Sequence, residues 1–190
     1  VKPQQLQGIV EANEMYFRRS EKGNKRLKRT PRKRGNHQNS VKSNKELVCV
    51  FTSRDRNKNT TDCILKELNT VSISKSLKTV LSKDVLFCSS NKNIYRRFTH
   101  ENRIRHGTLD IAKGQEYKKD IVHLQHVKAY QSHLKYWIVA HFRGVATKYL
   151  DNYLAWHRTL DEFEEELNPR TILLRAKSAG NYKHLPYLVT

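Results

Sequence analysis

The chain is poor in acidic residues: 18 Asp and Glu stand against 37 Lys and Arg, which gives a formal net charge of +19 over 190 residues. A charge this large repels itself unless a polyanion is present, and nucleic acid is the usual one, with a membrane surface second. No apolar run approaches the ~18–20 residues that span a bilayer. The N-terminus also lacks a signal-peptide pattern, so we expect a cytoplasmic protein.

Cysteine is scarce as well. Cys49, Cys63 and Cys88 form an odd set without a CxxC pair, which favours neither a disulfide framework nor a zinc knuckle. We expect three buried, reduced thiols. The length of the chain is enough for one domain with a real core.

Hydrophobic periodicity predicts an alternation of strands and helices. Strands are predicted at residues 8–17, 46–54, 60–68, 84–90 and 103–112. Helices are predicted at 72–81 (with Ser72 as a possible cap), 91–100, 120–141 and about 147–167. Three strands followed by alternating strands and helices are typical of an α/β, ribonuclease-H-like mixed sheet flanked by helices. We assign residues 1–167 to this domain and 168–190 to a C-terminal helix and extended tail.

Residues 18–45 form a basic loop in this prediction. They hold twelve Lys or Arg and one acid, so they carry +11 of the net charge, and Pro31, Gly23 and Gly35 disfavour regular structure. A solvated arm is the simple alternative, but contact with a nucleic-acid backbone fits the charge better. The candidate contact residues in the loop are Arg26, Lys28, Arg29, Arg32, Lys33 and Arg34.

The two long predicted helices each carry an apolar stripe at helical spacing. The first stripe is Val127, Tyr130, Leu134, Trp137, Ile138 and His141. The second is Tyr149, Tyr153, Trp156, Leu160, Phe163 and Leu167. We expect the aromatic members to be core rather than platforms for bases. The acidic run 161–166 is predicted to be a solvated helix face. His123 and His126 are spaced i, i+3 and have no evident Cys or acid partner, so packing or phosphate contact is favoured over metal binding.

The segments HLQHVKAYQSHLKYW (123–137) and GVATKYLDNYLAW (144–156) are the most specific of the chain. They resemble the C-terminal part of the catalytic domain of bacterial insertion-sequence transposases. The group resembled is headed by a zinc ribbon and has a ribonuclease-H-like core with an Asp-Asp-Asn/Glu-Lys signature. The segment GIVEANEMYF (8–17) and the hairpin RDRNKNTTD (54–62) also match the family patterns, although the hairpin lacks the family's glycine. The resemblance covers roughly residues 6–175.

The resemblance also implies where the catalytic residues stand. The family holds two divalent ions, Mg²⁺ or Mn²⁺, with an Asp on the first strand, an Asp ending the fourth strand, and an Asn or Glu on the next long helix. These positions carry Asn13, Ser90 and Lys128 here. The family's basic residue one heptad later is kept as Lys135, on the same helix face. Lys135 and Lys148 are further candidate DNA contacts.

All three ligand positions are thus replaced, and a Lys repels a metal ion. We therefore expect a degenerate, inactive copy that needs no cofactor and retains contact with the DNA backbone. An active enzyme with a variant metal site, a non-enzymatic nucleic-acid-binding protein or transposition inhibitor, and an unstable relic remain alternatives. The resemblance allows a homo-oligomer, and we expect neither a membrane nor a small-molecule partner. Nothing here resembles the family's DNA-reading head, so we expect no recognition of element ends from these residues.

Overall fold

The structure is a computed structural model that describes residues 5–27, 47–109, 117–118, 121–162 and 168. Its main strands are β1 (Ile9–Arg18), β2 (Leu47–Asp55), β3 (Thr60–Leu65), β4 (Leu86–Ser90) and β5 (Arg105–Leu109). Its helices are α1 (Thr70–Leu77), α2 (Asn93–Glu101), α3 (Gln125–Phe142) and α4 (Leu150–Glu162). Two short strands, β6 (Tyr117–Lys118) and β7 (Val122–His123), precede α3, and a 3₁₀ turn (Thr147–Tyr149) precedes α4.

The five main strands form one mixed sheet in the order β3-β2-β1-β4-β5. The pairs β1–β2 and β2–β3 are antiparallel, whereas β4 runs parallel to both β1 and β5. This topology, with helices on both faces, confirms the predicted ribonuclease-H-like α/β fold. Because β1 and β4 are parallel neighbours in the middle of the sheet, their carboxyl ends meet at the same edge.

Helices α1 and α2 cover one face of the sheet. Here Phe87 lies edge-on to Phe98 with ring centroids 5.3 Å apart, and Tyr95 contacts both Phe51 and Phe87. Alternation along β1 places Val10 and Ala12 in this layer. All of these side chains are almost fully buried, so this is the main apolar core.

Helices α3 and α4 cover the opposite face, and the packing there is partly polar. Val50 of the sheet lies against a group of helix residues, namely Tyr130, Leu134, Ile138, Leu150 and Leu154. Alternation on β1 sends Glu11 and Asn13 toward this same layer, opposite to Glu14, as the sequence predicts. The predicted metal-ligand positions therefore lie between the sheet and α3.

Gly107 of β5 sets the distance between the sheet and β7. A Cβ atom at this position would lie 2.8 Å and 2.9 Å from the two γ-methyls of Val122 and 3.3 Å from Cys88 Sγ. Both contacts with Val122 are closer than real Cβ atoms approach one another, so β7 can lie on β5 only because position 107 has no side chain.

Two predicted helix starts are wrong. Helix α1 begins at Thr70 with Asn69 as its cap, whose side chain accepts a 2.8 Å hydrogen bond from Ser72 N–H, so Ser72 lies inside the first turn. Helix α3 begins at Gln125 rather than 120, because Val122 and His123 pair with β6 in extended conformation. Propensity alone did not reveal this short hairpin.

The predicted stripe of α4 is also wrong. The buried residues of α4 are Leu150, Leu154 and His157, whereas Trp156 is 48% exposed and Tyr149 is 49% exposed. Both stripes have the same four-and-three spacing and differ by one residue, so periodicity cannot choose between them. Tertiary contacts with the sheet decide which one is buried.

Several predictions lie outside the described residues. These are most of the basic loop, with Lys28, Arg29, Arg32, Lys33 and Arg34, the stripe members Phe163 and Leu167, and all of the C-terminal tail except one residue. The division into domains therefore stays a prediction. Within the described part of the chain, no helix is long and apolar enough to cross a membrane. Cys49 and Cys88 are buried, Cys63 is partly buried, and all three are free.

Candidate functional site

Asn13 and Ser90 lie on the neighbouring parallel strands β1 and β4. The parallel pairing of β1 with β4 aligns Glu11 with Cys88, and each candidate lies two residues further along its strand, on the same face. Ser90 is 8% exposed and Asn13 is partly buried. The topology thus brings together two positions that are far apart in sequence, as a two-metal site requires.

Asn13 is tied to helix α3 by two hydrogen bonds. Its side-chain Nδ2 donates to Gln131 Oε1 at 2.8 Å, and Gln131 Nε2 donates back to the Asn13 backbone carbonyl at 3.1 Å. Gln131 is 6% exposed. The side chain of Asn13 therefore makes a neutral contact between the sheet and the helix.

Lys128 lies on α3 one turn before Gln131 and is partly buried, whereas Lys135 lies further along the helix and is exposed. Three residues turn an α-helix by about 300°, so Lys128 lies within about 60° of the side of α3 that Gln131 presents to β1. The three predicted ligand positions are therefore on facing elements. They supply an amide, a hydroxyl and an ammonium group, with no carboxylate among them.

Two hydroxyls beside Asn13 are buried without a hydrogen-bond partner. Thr52 is opposite Asn13 in the β1–β2 register, and Ser90 is on the β4 side. An unpaired buried hydroxyl costs about 1–3 kcal/mol. The layer between the sheet and α3 thus holds hydroxyl groups that form no hydrogen bond with either the sheet or the helix.

The three positions do not fit Mg²⁺ or Mn²⁺. These hard cations prefer carboxylate oxygens, and Mg²⁺ in particular is held by one or two carboxylates together with phosphates. The Asn13 amide nitrogen and the Lys128 ammonium group are donors, not ligands. The nearby acid Glu11 is committed to other contacts, and Glu14 faces the other side of the sheet, where it binds Lys92 and Tyr95.

A second cluster, formed by Glu11, Arg56, His123 and His126, was not predicted from the sequence. The Glu11 carboxylate is 1% exposed; its Oε1 lies 2.6 Å from Arg56 Nη1, 2.8 Å from His126 Nδ1 and 3.2 Å from His123 Nδ1. Its Oε2 accepts a 3.0 Å hydrogen bond from Val127 N–H. The expectation that the two histidines lack an acid partner is therefore wrong, because that partner comes from β1.

Arg56 enters the cluster from the β2–β3 hairpin. Its Nη1 lies 2.7 Å from His123 Nε2 and 2.5 Å from His126 Nδ1, and its Nη2 donates to the Ile121 carbonyl at 2.9 Å. Burial and the adjacent guanidinium lower the pKa of His123, which keeps its ring neutral. The only sequence signal for this cluster was that Glu11, Arg56 and His123 all fall within the segments that resemble the family.

Helix α4 is attached to the sheet by charged side chains. Asp62 accepts a 2.8 Å hydrogen bond from the Tyr130 hydroxyl and pairs with Arg158. Arg54 pairs with Asp161 at 2.6 Å and lies over the Tyr130 ring. Asp161 is therefore partly buried in an ion pair and is not part of the predicted solvated acidic face. Glu162 is exposed, and residues 163–166 of that run lie outside the described residues.

The candidate DNA-contacting residues that the structure describes are all exposed. Arg26 follows β1, Lys135 is on α3, and Lys148 lies in the 3₁₀ turn with its Nζ 4.6 Å from the Tyr149 ring centroid. Lys135 and Lys148 are thus on α3 and on the turn before α4.

The aromatic residues of the C-terminal helices form a cluster that is only partly buried. Trp137 contacts Phe142, Tyr153 and Trp156 with centroid distances of 4.9, 6.2 and 5.2 Å. Tyr130 is core, as predicted, but Trp137 and Tyr153 are partly buried and Trp156 is half-exposed. The prediction that all four are core is therefore wrong for Trp156.

Comparison with protein families gave one informative result. The family described as ISXO2-like transposase domain matches residues 5–157. The match contains both strands and the helix that carry Asn13, Ser90 and Lys128, and all four residues of the second cluster. Neither the curated proteins nor the solved structures gave a match.

Proposed function

The chain belongs to the family of ISXO2-like transposase domains. We propose that it is a degenerate copy of the catalytic domain, located in the cytoplasm, that binds DNA but neither cuts nor joins DNA strands. Membership of the family implies insertion-sequence transposition, DNA as partner and use of a divalent metal ion. The observation that carries the proposal is the replacement of all three metal-ligand positions, by Asn13, Ser90 and Lys128.

Electrostatics support the loss of cleavage. Two-metal phosphoryl transfer places two divalent cations about 3.5–4 Å apart, which requires concentrated negative charge from the protein. Here Asn13 is neutral and bonded to Gln131, Ser90 contributes a hydroxyl, and Lys128 adds a positive charge. The net charge at these three positions is thus positive where the family has carboxylates.

The positive charge supports retention of DNA binding. Contacts with phosphates need only Lys and Arg and no defined active site, so they can survive loss of the metal ligands. The net charge of +19 and the exposed Arg26, Lys135 and Lys148 supply such groups. A contact of this kind carries little sequence information, so we expect weak discrimination between DNA sequences.

Nicking of supercoiled plasmid tests the loss of cleavage. We expect no nicking by the natural chain at any Mg²⁺ or Mn²⁺ concentration, and metal-dependent nicking by the triple variant Asn13→Asp, Ser90→Asp, Lys128→Glu. The same variant carrying Asn13→Ala instead of Asn13→Asp is the matched control and should be inactive. Nicking by the natural chain that Asn13→Ala abolishes would refute the proposal.

The dependence of DNA affinity on salt concentration tests the proposed contact with the DNA backbone. For a short duplex followed by fluorescence anisotropy, log K should fall linearly with log salt, by about 0.9 for each phosphate neutralised. Lys135→Gln with Lys148→Gln should reduce that slope by about 2. Lys75→Gln with Lys78→Gln, which removes equal charge from the α1 face, should change it less. Equal effects of both pairs would mean that the α3 side is not the contact surface.

A further inference from the structure

The cluster of Glu11, Arg56, His123 and His126 has the arrangement of a metal site with a guanidinium nitrogen at its centre. One ligand atom from each of Glu11, His123 and His126 lies within 4.8 Å of the other two. In the described part of the chain this is the only group of three such residues. Arg56 Nη1 lies 2.6, 2.7 and 2.5 Å from the carboxylate and the two rings.

We propose that Glu11, His123 and His126 bind one divalent transition-metal ion of the Zn²⁺ class, and that Arg56 occupies the position of the ion when the metal is absent. This site is separate from the degenerate ligand positions of the family, and it does not depend on cleavage of DNA. Two imidazoles and a carboxylate suit Zn²⁺, Co²⁺ or Fe²⁺ rather than Mg²⁺.

The distances support an ion at the position of Arg56 Nη1. Zn²⁺ lies ~2.0–2.1 Å from a histidine nitrogen and ~2.0–2.2 Å from a carboxylate oxygen. Each of the three ligand atoms would therefore move inward by about 0.5 Å. With three protein ligands the ion keeps an open coordination position, and Glu11 is held in orientation by Val127 N–H through its other oxygen.

Without a metal ion, the two charged neighbours of His126 Nδ1 require opposite protonation states of that nitrogen. His126 Nδ1 lies 2.8 Å from the Glu11 carboxylate and 2.5 Å from the Arg56 guanidinium. If Nδ1 carries a proton it opposes the guanidinium donor, and if it does not, its lone pair faces the carboxylate. A single divalent cation resolves this conflict, because the lone pairs of both histidines and the carboxylate can all face it.

The surroundings allow the exchange of Arg56 for a metal ion. The Arg56 side chain is 25% exposed, so the guanidinium can move into solvent, whereas Glu11 is almost fully buried and stays in place. A phosphate group is disfavoured at the same point, because it would lie against the Glu11 carboxylate.

Titration of the metal-stripped chain with Co²⁺, followed by visible absorption, tests the proposal, with Zn²⁺ as competitor. We expect one ion per chain in the natural protein. Loss of one ligand in His126→Ala should weaken binding on the order of 100-fold. Arg56→Ala should tighten it about tenfold, because the competing cation is removed. His133→Ala, at an exposed position on the same helix, is the matched control and should change nothing.

A second readout does not depend on the spectrum. Saturating Zn²⁺ should raise the melting temperature of the natural chain and of His133→Ala, but not that of His126→Ala. His126 is half-exposed, so its replacement leaves the fold intact.

Three results would overturn the proposal. The first is no Co²⁺ or Zn²⁺ binding by the natural chain, including the case in which Arg56→Ala alone binds, because the guanidinium would then be the permanent occupant. The second is binding that survives replacement of both His123 and His126. The third is saturable binding of inorganic phosphate that Arg56→Ala abolishes, which would identify an anion site.

Discussion

Asn13 and Gln131 hold β1 to α3 through a reciprocal pair of hydrogen bonds, of 2.8 Å from Asn13 Nδ2 and 3.1 Å from Gln131 Nε2. Asn13 is also the position at which the resemblance places the family's first metal-binding Asp. In this chain its side chain makes a neutral contact between the sheet and the helix.

Removal of the Gln131 amide should destabilise the fold. Gln131→Leu leaves the Asn13 side-chain amide without its partner in a largely buried layer, which costs about 1–3 kcal/mol. Urea unfolding should show a lower midpoint with an unchanged slope. Gln125→Leu, at an exposed position at the start of α3, is the control. Equal midpoints for the two variants would mean that the reciprocal pair contributes nothing.

Replacement of Lys58 by glycine should stabilise the fold. It lies in the β2–β3 turn at φ 68°, in the left-handed region that favours glycine. Relief of about 1–2 kcal/mol of backbone strain exceeds the ~0.5–1 kcal/mol entropic cost of Gly. Lys58→Gly should therefore raise the free energy of unfolding by roughly 0.5–1 kcal/mol.

Lys58→Ala is the control for this turn, because it removes the same side chain but keeps the Cβ atom. We expect no gain from it. If alanine stabilises the chain as much as glycine does, removal of the lysine charge is the cause and backbone strain is not.

The predictions from sequence succeeded where the signal is local. Strand β1 follows from a short motif, and the mixed sheet follows from the order of elements. The assignment of Asn13, Ser90 and Lys128 to the family's ligand positions stays a prediction. The cluster around Glu11 could not be predicted in this way. Glu11 and His126 are 115 residues apart, and only the packing of α3 on β1 brings them into contact.

The buried face of α4 shows a different limit. Leu150 and Leu154 are spaced like Tyr149 and Tyr153, so an amphipathic pattern fits either set. The choice is made by Asp62 of β3, which pairs with Arg158 and so turns the helix toward the sheet. Such a pairing is not visible in a single sequence.

Stability should fall in mild acid because of His157. Burial, followed by the effects of His133 and Arg54, lowers the pKa of this ring from 6.5, although Asp161 acts in the opposite direction. The unfolded chain therefore binds a proton more readily than the folded chain. The stabilisation from His157 is fully present above about pH 6.5 and is lost as the pH falls below 6.5 toward the lowered folded-state pKa.

Urea midpoints at pH 7.5 and 5.5 measure this effect (the pH values bracket the ordinary pKa of about 6.5). His157→Gln should reduce the difference between the two midpoints. His100→Gln, at an exposed position on α2, should leave the difference as it is in the natural chain. A natural chain that is more stable at the lower pH would contradict the assignment of a neutral His157.

Gly107 should not tolerate a side chain. A Cβ atom would meet both γ-methyls of Val122 at under 3 Å, and a β-branched side chain has little freedom to move away. We expect Gly107→Ala to cost about 1–3 kcal/mol. The double variant with Val122→Ala should regain part of that loss, as a coupling measured in a double-mutant cycle. Additive losses would show that the two residues do not contact each other.

The most direct test of the central claim is a Mn²⁺ titration followed by water-proton relaxation. The titration is made on chains carrying His123→Ala and His126→Ala, so that the Glu11 cluster does not contribute. The degenerate positions should then bind no Mn²⁺, and addition of Asn13→Asp, Ser90→Asp and Lys128→Glu should create micromolar binding. Micromolar binding before these changes, lost on Asn13→Ala, would contradict the loss of the family's metal site.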